Sequence, residues 1–344
     1  MEKYCRDCYG EKVNLSSDEF VKIMVVDGCF IIELFRKYFT AVTPGKFARE
    51  VFIERDDPVF NMSWMITALL YDLLLHENQI PWRVLDCLFK LTRENDETDE
   101  PSLSELTLNY FEYYTIGEYP KRIEEAAGSK HLLDFMRKCL VGGTQKDSNI
   151  HTNPVLNQIP CVTELLQAGV KFQLTNDSML NITFENGVMK IPPIVVHENG
   201  ESLLRNLIVY EQCEASSDEM EITSYAMVLD NLINTSSDVD ILMQKIILDT
   251  ALSKEDIASF INKLYNNTIP GHFSYKKLTD KVNEHYHRRF NRWKTILARD
   301  YFNNPWSTLA FAGALLGLGL TFIQTLYAIL AYKAPKSDEG YHYP

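Results

Sequence analysis

The architecture of this 344-residue chain is decided by one stretch, Trp306–Tyr332, which reads WSTLAFAGALLGLGLTFIQTLYAILAY. It holds no charged residue over 27 positions. As a helix it would be about 40 Å long, whereas the hydrocarbon core of a bilayer is about 30 Å thick. Trp306 and Tyr332 suit the two membrane interfaces. The stretch predicts one C-terminal transmembrane helix, with residues 301–332 as the anchor and 333–344 as a short polar tail.

One side of the predicted helix carries small and polar residues at steps of three or four. They are Ala310, Gly313, Gly317, Thr321 and Gln324. Gly313 and Gly317 form a GxxxG pair, which lets two backbones approach closely, and the Gln324 amide is able to hydrogen-bond across such an interface. Gly and Ala are also common in membrane helices that do not associate. The pattern favours a homodimer or heterodimer formed through the membrane helix.

Basic residues precede the apolar stretch, whereas the rest of the chain is acidic. The chain has 34 Lys and Arg against 47 Asp and Glu, a net charge of −13. Residues 280–300 carry +3 and residues 1–279 carry −16. The bases nearest the membrane are called the basic collar: Arg288, Arg289, Arg292, Lys294 and Arg299. The acidic body disfavours nucleic acid as a partner, while the collar suits an anionic lipid bilayer or serves only to set the topology.

The bases on the two sides of the anchor predict its orientation. Five bases precede the anchor and two follow it, so the positive-inside rule places the body in the cytosol. The first ten residues show no secretory signal, which predicts a tail-anchored, single-pass protein of the plasma membrane or an endomembrane. Asn-x-Ser/Thr sequons favour the opposite, lumenal side, and leave the orientation open: Asn14, Asn61, Asn176, Asn181, Asn234 and Asn266.

The body, residues 1–300, is predicted to be mainly α-helical with one small antiparallel β-hairpin, an α+β fold. Ser16 and Glu19 form a capping box that begins the first long helix. Its apolar positions recur at helical spacing: Phe20, Ile23, Met24, Ile31, Leu34, Phe35 and Tyr38. Asp27 falls on the same side, so we expect it to be buried or to face a cleft. Asn186-Gly187 between two alternating runs predicts the hairpin.

The sequence lacks the motifs that announce known catalytic sites. It has no GxGxxG, phosphate loop, GxSxG elbow or HExxH, and Cys5-x-x-Cys8 has no second pair with which to bind zinc. We therefore expect no catalytic residue, no cofactor and no metal, in a protein that is not an enzyme. The alternative is a membrane-tethered enzyme with an unrecognised site around Asp27 or Glu77.

Six sequence segments, each of which occurs once, are found in a fixed order along the chain. They are VDGCFIIELF at Val26–Phe35, DLLLHENQIP at Asp72–Pro81, the segment Ile182–Pro193, the segment Ser202–Cys213, and RDYFNNPW at Arg299–Trp306 followed by TFIQT at Thr321–Thr325. Together they resemble the plant Domain of Unknown Function 247 family over nearly the whole chain.

The resemblance implies a flowering-plant protein with a mostly helical body, a C-terminal membrane anchor and no assigned enzymatic activity. Some grass members are implicated as pollen-side determinants of self-incompatibility, a role that belongs to those members. Family members usually carry a further N-terminal stretch with a motif like Ile-Gly-Pro-Tyr-His, so the resemblance implies that this portion is missing here. The leading hypothesis is a recognition, interaction or signalling component that acts on an unidentified protein partner.

Overall fold

A computed structural model describes residues 1–43, 57–93, 101–112, 126, 128–142, 158–196, 200–214, 220–266, 268, 273–288 and 305–333. The described part is mostly helical with a few short strands, as predicted, and has one apolar helix near the end of the sequence. The chain divides into two units: Met1–Leu166 with Val170–His285, and Gln167–Gly169 with Tyr286–Pro344. The first unit makes up most of the body.

The described elements are numbered in chain order. The helices are α1 (Glu2–Asp7), α2 (Ser17–Val42), α3 (Ser63–Asp72), α4 (Trp82–Leu91), α5 (Leu103–Tyr110), α6 (Leu132–Val141), α7 (Val162–Gln167), α8 (Gly200–Glu214), α9 (Glu221–Leu232), α10 (Ser236–Gln244), α11 (Lys254–Leu264), α12 (Lys276–His287) and α13 (Pro305–Lys333). The strands are β1 (Lys171–Leu174), β2 (Thr183–Glu185), β3 (Val188–Ile191), β4 (Ile194–Val196) and β5 (Leu248–Thr250).

Helix α2 begins as the sequence predicts and packs on α4 and α5. The Ser16 hydroxyl accepts the Glu19 N–H at 3.3 Å, and the Glu19 carboxylate accepts the Ser16 N–H at 3.0 Å, which completes the capping box. A Cβ added to Gly28 would lie 2.5 Å from Cδ1 of Leu88. Gly28 therefore marks the side on which α4 approaches α2.

The predicted hairpin joins β2 and β3. Asn186 and Gly187 have φ values of 50° and 78°, the left-handed conformations that a two-residue hairpin turn requires, and β2 pairs antiparallel with β3. The hairpin prediction is confirmed. Strand β1 adds to β3 in parallel, giving the order β1-β3-β2, and β4 pairs in parallel with β5. The sequence did not predict these parallel pairings.

Two helices lie at the centre of the body and are buried nearly all round. Helix α6 buries Phe135, Met136 and Cys139 completely, and α9 buries Ile222 and Ala226 completely. They contact each other, and both contact α8, while α11 packs on α8, α9 and α10. Each fully buried large side chain contributes roughly 1.5–3 kcal/mol. This centre also holds the charged residues described below.

A strained residue ends α10. After Lys245, the N–H groups of Ile246 and Ile247 donate to the carbonyls of Met243 at 2.9 Å and Leu242 at 3.0 Å, the pairing of a Schellman motif. Ile246 has a φ of 60°, where glycine is usual, and it is 76% exposed. A residue with a Cβ is strained there by about 1–2 kcal/mol. The turn directs the chain from α10 into β5.

Helix α13 consists mostly of apolar residues. Its span Leu309–Ile329 has 21 residues and a mean hydropathy of 1.8, and none of its length is buried. At 1.5 Å per residue it would be about 32 Å long, which matches a bilayer core of about 30 Å. The helix is long and apolar enough to cross a membrane.

Candidate functional site

The predicted association face lies on one side of α13. Ala310, Gly313, Gly317, Thr321 and Gln324 are all exposed. A Cβ built on Gly313 or Gly317 would meet no atom within 4 Å. These glycines are therefore not required by packing within the described chain, and the groove they leave is open to another helix.

The polar side chains of α13 differ in how they are satisfied. The hydroxyl of Thr321 donates to the carbonyl of Gly317 at 2.8 Å, and that of Thr325 donates to the carbonyl of Thr321 at 2.8 Å. The Gln324 amide has no hydrogen-bond partner among the described residues. In hydrocarbon an unpaired amide costs free energy, so within a membrane the Gln324 amide would gain from a partner on another helix.

The basic collar is described only at its first residue. Arg288 follows α12 and is exposed. The other members, Arg289, Arg292, Lys294 and Arg299, lie outside the described residues. The association of this segment with a bilayer surface stays a prediction.

Both carboxylates named for the enzyme alternative are exposed. Asp27 was expected to be buried or to face a cleft, and this is wrong. It is exposed, although Phe20, Ile31 and Leu34 on the same side of α2 are buried. Glu77 is exposed in the turn after α3.

His76, the neighbour of Glu77, carries an unsatisfied ring nitrogen. Its Nδ1 is buried without a hydrogen-bond partner, while its backbone N–H donates to Oδ1 of Asn206 at 2.8 Å. The imidazole centroid lies 6.1 Å from that of the Tyr210 ring, and His131 lies 5.1 Å from Tyr210 on centroids. The three aromatic side chains therefore lie near one another.

The centre of the body holds a buried charge network. Arg137 of α6 donates through Nε to Glu211 at 3.0 Å and through Nη2 to Glu221 at 2.7 Å. Glu211 is fully buried and also accepts the N–H of Ile222 at 3.0 Å and both the N–H and the hydroxyl of Thr223, each at 2.8 Å. Glu211 of α8 therefore caps the N-terminus of α9.

The electrostatics of this network are those of a structural element. Burial raises the pKa of Glu211, although Arg137 and the donors of α9 act in the opposite direction. Both Glu211 oxygens accept hydrogen bonds from the protein, so neither is available to a substrate. Arg137 and the two carboxylates hold α6, α8 and α9 together.

A second buried carboxylate caps two helices at once. Asp238 accepts the N–H and hydroxyl of Thr163 at 2.8 and 2.7 Å on one oxygen. Its other oxygen accepts the N–H groups of Asn234 and Thr235, at 3.2 and 3.0 Å. Burial alone would raise its pKa, but these hydrogen bonds outweigh burial and lower the pKa. Asp238 therefore joins the first turns of α7 and α10.

The outward face of α2 carries apolar side chains that nothing in the described chain covers. Ile23, Val26 and Phe30 are 42%, 55% and 44% exposed. Ile23 was assigned to the buried face, which is wrong. The sequence signal was present, since α2 has more apolar positions than one helix face holds. Elsewhere in the described residues, no group of three or more His, Cys, Asp or Glu side chains is arranged to hold a metal ion.

Comparisons with known proteins place the chain among plant proteins. The profile of the Domain of Unknown Function 247 family, described as plant protein of unknown function, matches residues 1–320. UPF0481 protein At3g47200 of Arabidopsis thaliana is 27% identical over an alignment of 368 residues. The alignment covers 99% of this chain and 74% of that protein. Putative UPF0481 protein At3g02645 of the same plant is 30% identical over 174 residues, 48% of this chain and 32% of that protein. No solved structure matches.

The family profile covers the body and most of α13. This chain belongs to the plant Domain of Unknown Function 247 family.

Proposed function

We propose that this chain is a non-enzymatic, single-pass membrane protein that acts as a recognition, interaction or signalling component on an unidentified protein partner. The observation that carries the proposal is α13, an apolar helix of membrane length that the described chain leaves uncovered. The acidic body is the part that would meet the partner. The buried charge networks around Arg137 and Asp238 hold helices together and do not form an open catalytic centre.

The membrane part of the proposal is tested by extraction of the full chain at alkaline pH. We expect the wild type to stay with the membrane pellet. Leu315→Lys with Leu318→Lys should release it, because each lysine near the centre of a span costs about 2.5–3.5 kcal/mol. Val25→Lys, an exposed change in the body, is the matched control and should leave the chain in the pellet. Release of the wild type would contradict membrane anchoring.

The partner is sought by proximity labelling in the native tissue, with the labelling enzyme fused to either terminus. We expect the fusion at residue 1 to label cytosolic proteins, and a specific set of them above the background of an unrelated tail-anchored protein. The lysine variant of α13 controls for labelling of the general cytosol. Labelling of lumenal proteins by this fusion would refute the proposed orientation, and a set identical to background would refute the interaction role.

Glycosylation gives an independent measure of sidedness. Asn176, Asn234 and Asn266 are sequon residues with exposed positions, so a lumenal body would present acceptors. For a cytosolic body we expect no mobility shift on endoglycosidase treatment. A shift that is lost in Asn234→Gln would place the body in the lumen.

We further propose that α13 associates through the face that contains Gly313, Gly317 and Gln324. In a bacterial or yeast membrane two-hybrid assay, Gly313→Ile with Gly317→Ile should abolish association, because the added side chains separate the backbones. Gly319→Ile is the matched control, since Gly319 also has open space around it and lies on the other side of the helix. Equal loss in both variants, or no loss in either, would contradict the proposed face.

A second candidate function, an enzyme, is favoured by the unsatisfied Nδ1 of His76 beside Glu77. The purified full chain in detergent is assayed against panels of ester, phosphoester, glycoside and peptide substrates. The interaction proposal predicts no turnover. Turnover that disappears in both His76→Ala and Glu77→Gln, while the fold is retained, would replace the proposal with an enzymatic function.

A further inference from the structure

Three apolar side chains form a stripe along the outward face of α2. Ile23, Val26 and Phe30 lie at positions i, i+3 and i+7, which places them on one side of a helix. Their exposure, between 42% and 55%, is high for residues of this size in a helix whose other side is core. The set is called the α2 stripe.

Carboxylates border the α2 stripe. Glu19 lies one turn before Ile23, and its pKa is lowered by the Ser16 hydroxyl and N–H, so it stays ionised. Asp27 lies on one flank and Glu33 on the other, both exposed and both without a hydrogen bond or ion pair in the part of the chain that the structure describes. The base on the outward side with no such partner is Lys22.

The basic side chain that follows the C-terminal end of the α2 stripe is already paired. Lys37 comes next along this side, and its ammonium lies 2.8 Å from Asp57, which is buried. Its charge is therefore already balanced within the body. The border of the stripe is acidic overall, in agreement with a body that carries −16 over residues 1–279.

The acidic border of the α2 stripe determines which kind of partner the stripe suits. An anionic bilayer surface would be repelled by the three carboxylates. A second copy of the chain would bring carboxylates against carboxylates, with Asp27 close to its own counterpart in an antiparallel pair. A helix with apolar residues at i, i+4 and i+7 and with Lys or Arg on its flanks buries the stripe and neutralises its border. We propose that the α2 stripe binds a basic amphipathic helix of a partner protein.

The other side of α2 makes this surface rigid. Phe20, Ile31 and Phe35 are buried by 95% or more against neighbouring helices, and the capping box fixes the first turn. A preformed helix loses little conformational entropy on binding, so less of the binding free energy is lost in ordering the surface. For the same reason, changes to the outward side chains should leave the fold intact.

This inference rests on the proposed interaction role, and it is tested on the full chain in detergent micelles. The probe is a displayed library of helical peptides with leucine at i, i+4 and i+7, whose flanking positions are all Lys and Arg, all Asp and Glu, or all Gln. We expect the basic class to be enriched at least tenfold over the acidic and neutral classes. We also expect 0.5 M NaCl to weaken binding of a selected basic peptide several-fold, because salt screens exposed charges.

Matched variants locate the site. Val26→Gln with Phe30→Gln should weaken the selected peptide at least tenfold. Val21→Gln with Val25→Gln changes two side chains that are each 42% exposed on the other flank of α2, and should leave the affinity unchanged. Glu33→Gln should reduce the preference for the basic class.

Three outcomes would overturn the inference. One is equal enrichment of the three peptide classes, and another is a basic peptide that binds the stripe variant as tightly as the wild type. The third is a dimer, seen by sedimentation of an α13 association-face variant, that Phe30→Gln dissolves, since the stripe would then serve self-association. None of these outcomes bears on membrane extraction, so failure here is distinguishable from failure of the proposed function.

Discussion

Replacing Arg137 with methionine should remove a large part of the stability of the body. The change keeps most of the side-chain volume but removes the cation that pairs with two carboxylates, Glu211 and Glu221, whose side chains are 0% and 7% exposed. Removal of one partner from a buried ion pair costs about 3–5 kcal/mol, because the remaining charge has no compensation. A domain has a free energy of unfolding of about 5–15 kcal/mol, so the loss would be about a fifth of the total or more.

The measurement is urea unfolding of the full chain in detergent, followed by tryptophan fluorescence. With an m-value of about 3 kcal/mol/M, the Arg137→Met midpoint should fall by about 1–2 M. Lys90→Met is the matched control, because Lys90 and Asp86 form an ion pair with 70% and 41% exposed side chains. That pair is worth less than about 1 kcal/mol, so the control midpoint should barely change.

Two further results identify the stranded charge as the cause. Arg137→Met with Glu221→Met should recover at least 1 kcal/mol, since Glu211 keeps the amide donors of α9 while one buried charge is removed. The loss in Arg137→Met should also be smaller at pH 5 than at pH 8, because burial raises the pKa of Glu211, removal of Arg137 raises it further, and a raised pKa gives stability that is lost as pH rises. Equal midpoints for Arg137→Met and Lys90→Met would refute the reasoning.

Three other substitutions test the packing and the capping of the body. Gly28→Val should cost about 1–3 kcal/mol by overpacking against Leu88, and Leu88→Ala in the same chain should recover part of that loss in a double-mutant cycle of urea midpoints. Asp238→Asn should destabilise at pH 7 and flatten the acid limb of the stability curve, because a lowered pKa gives stability that is present above about pH 5 and lost as pH falls below about 4. Gly187→Ala should lower the thermal midpoint, because φ is +78° and the new Cβ would lie 2.9 Å from the His285 ring, and an unchanged midpoint would contradict the described turn.

Features that depend on neighbouring residues could be predicted from the sequence. The capping box at Ser16, the Asn186-Gly187 turn and the apolar span each follow from contacts within a few positions, and each is present. The helical class followed from the same local periodicity. Association through α13, the role of the collar and the orientation stay predictions, because they depend on a membrane and a partner.

Features that depend on distant parts of the chain could not be predicted. From the sequence, Glu211 and Glu221 cannot be distinguished from ordinary surface residues. Their burial depends on Arg137, which is 74 and 84 positions away. The parallel pairing of β4 with β5 brings together strands separated by three helices. The prediction for Asp27 was wrong for a different reason. Helical spacing indicates which side of α2 is buried, but not which turns of that side other elements cover, and Asp27 is exposed while Phe20 and Ile31 on the same side are buried.

The left-handed backbone conformation of Ile246 suggests a substitution that would make the chain more stable during purification. Glycine at this position would relieve about 1–2 kcal/mol of backbone strain and would add about 0.5–1 kcal/mol of freedom to the unfolded chain. The balance favours the folded form, and the exchanged side chain is 76% exposed, so it leaves no cavity. Ile246→Gly also removes an exposed apolar group that favours aggregation. A single surface exchange should therefore improve yield while leaving the α2 stripe, the α13 face and His76 as they are.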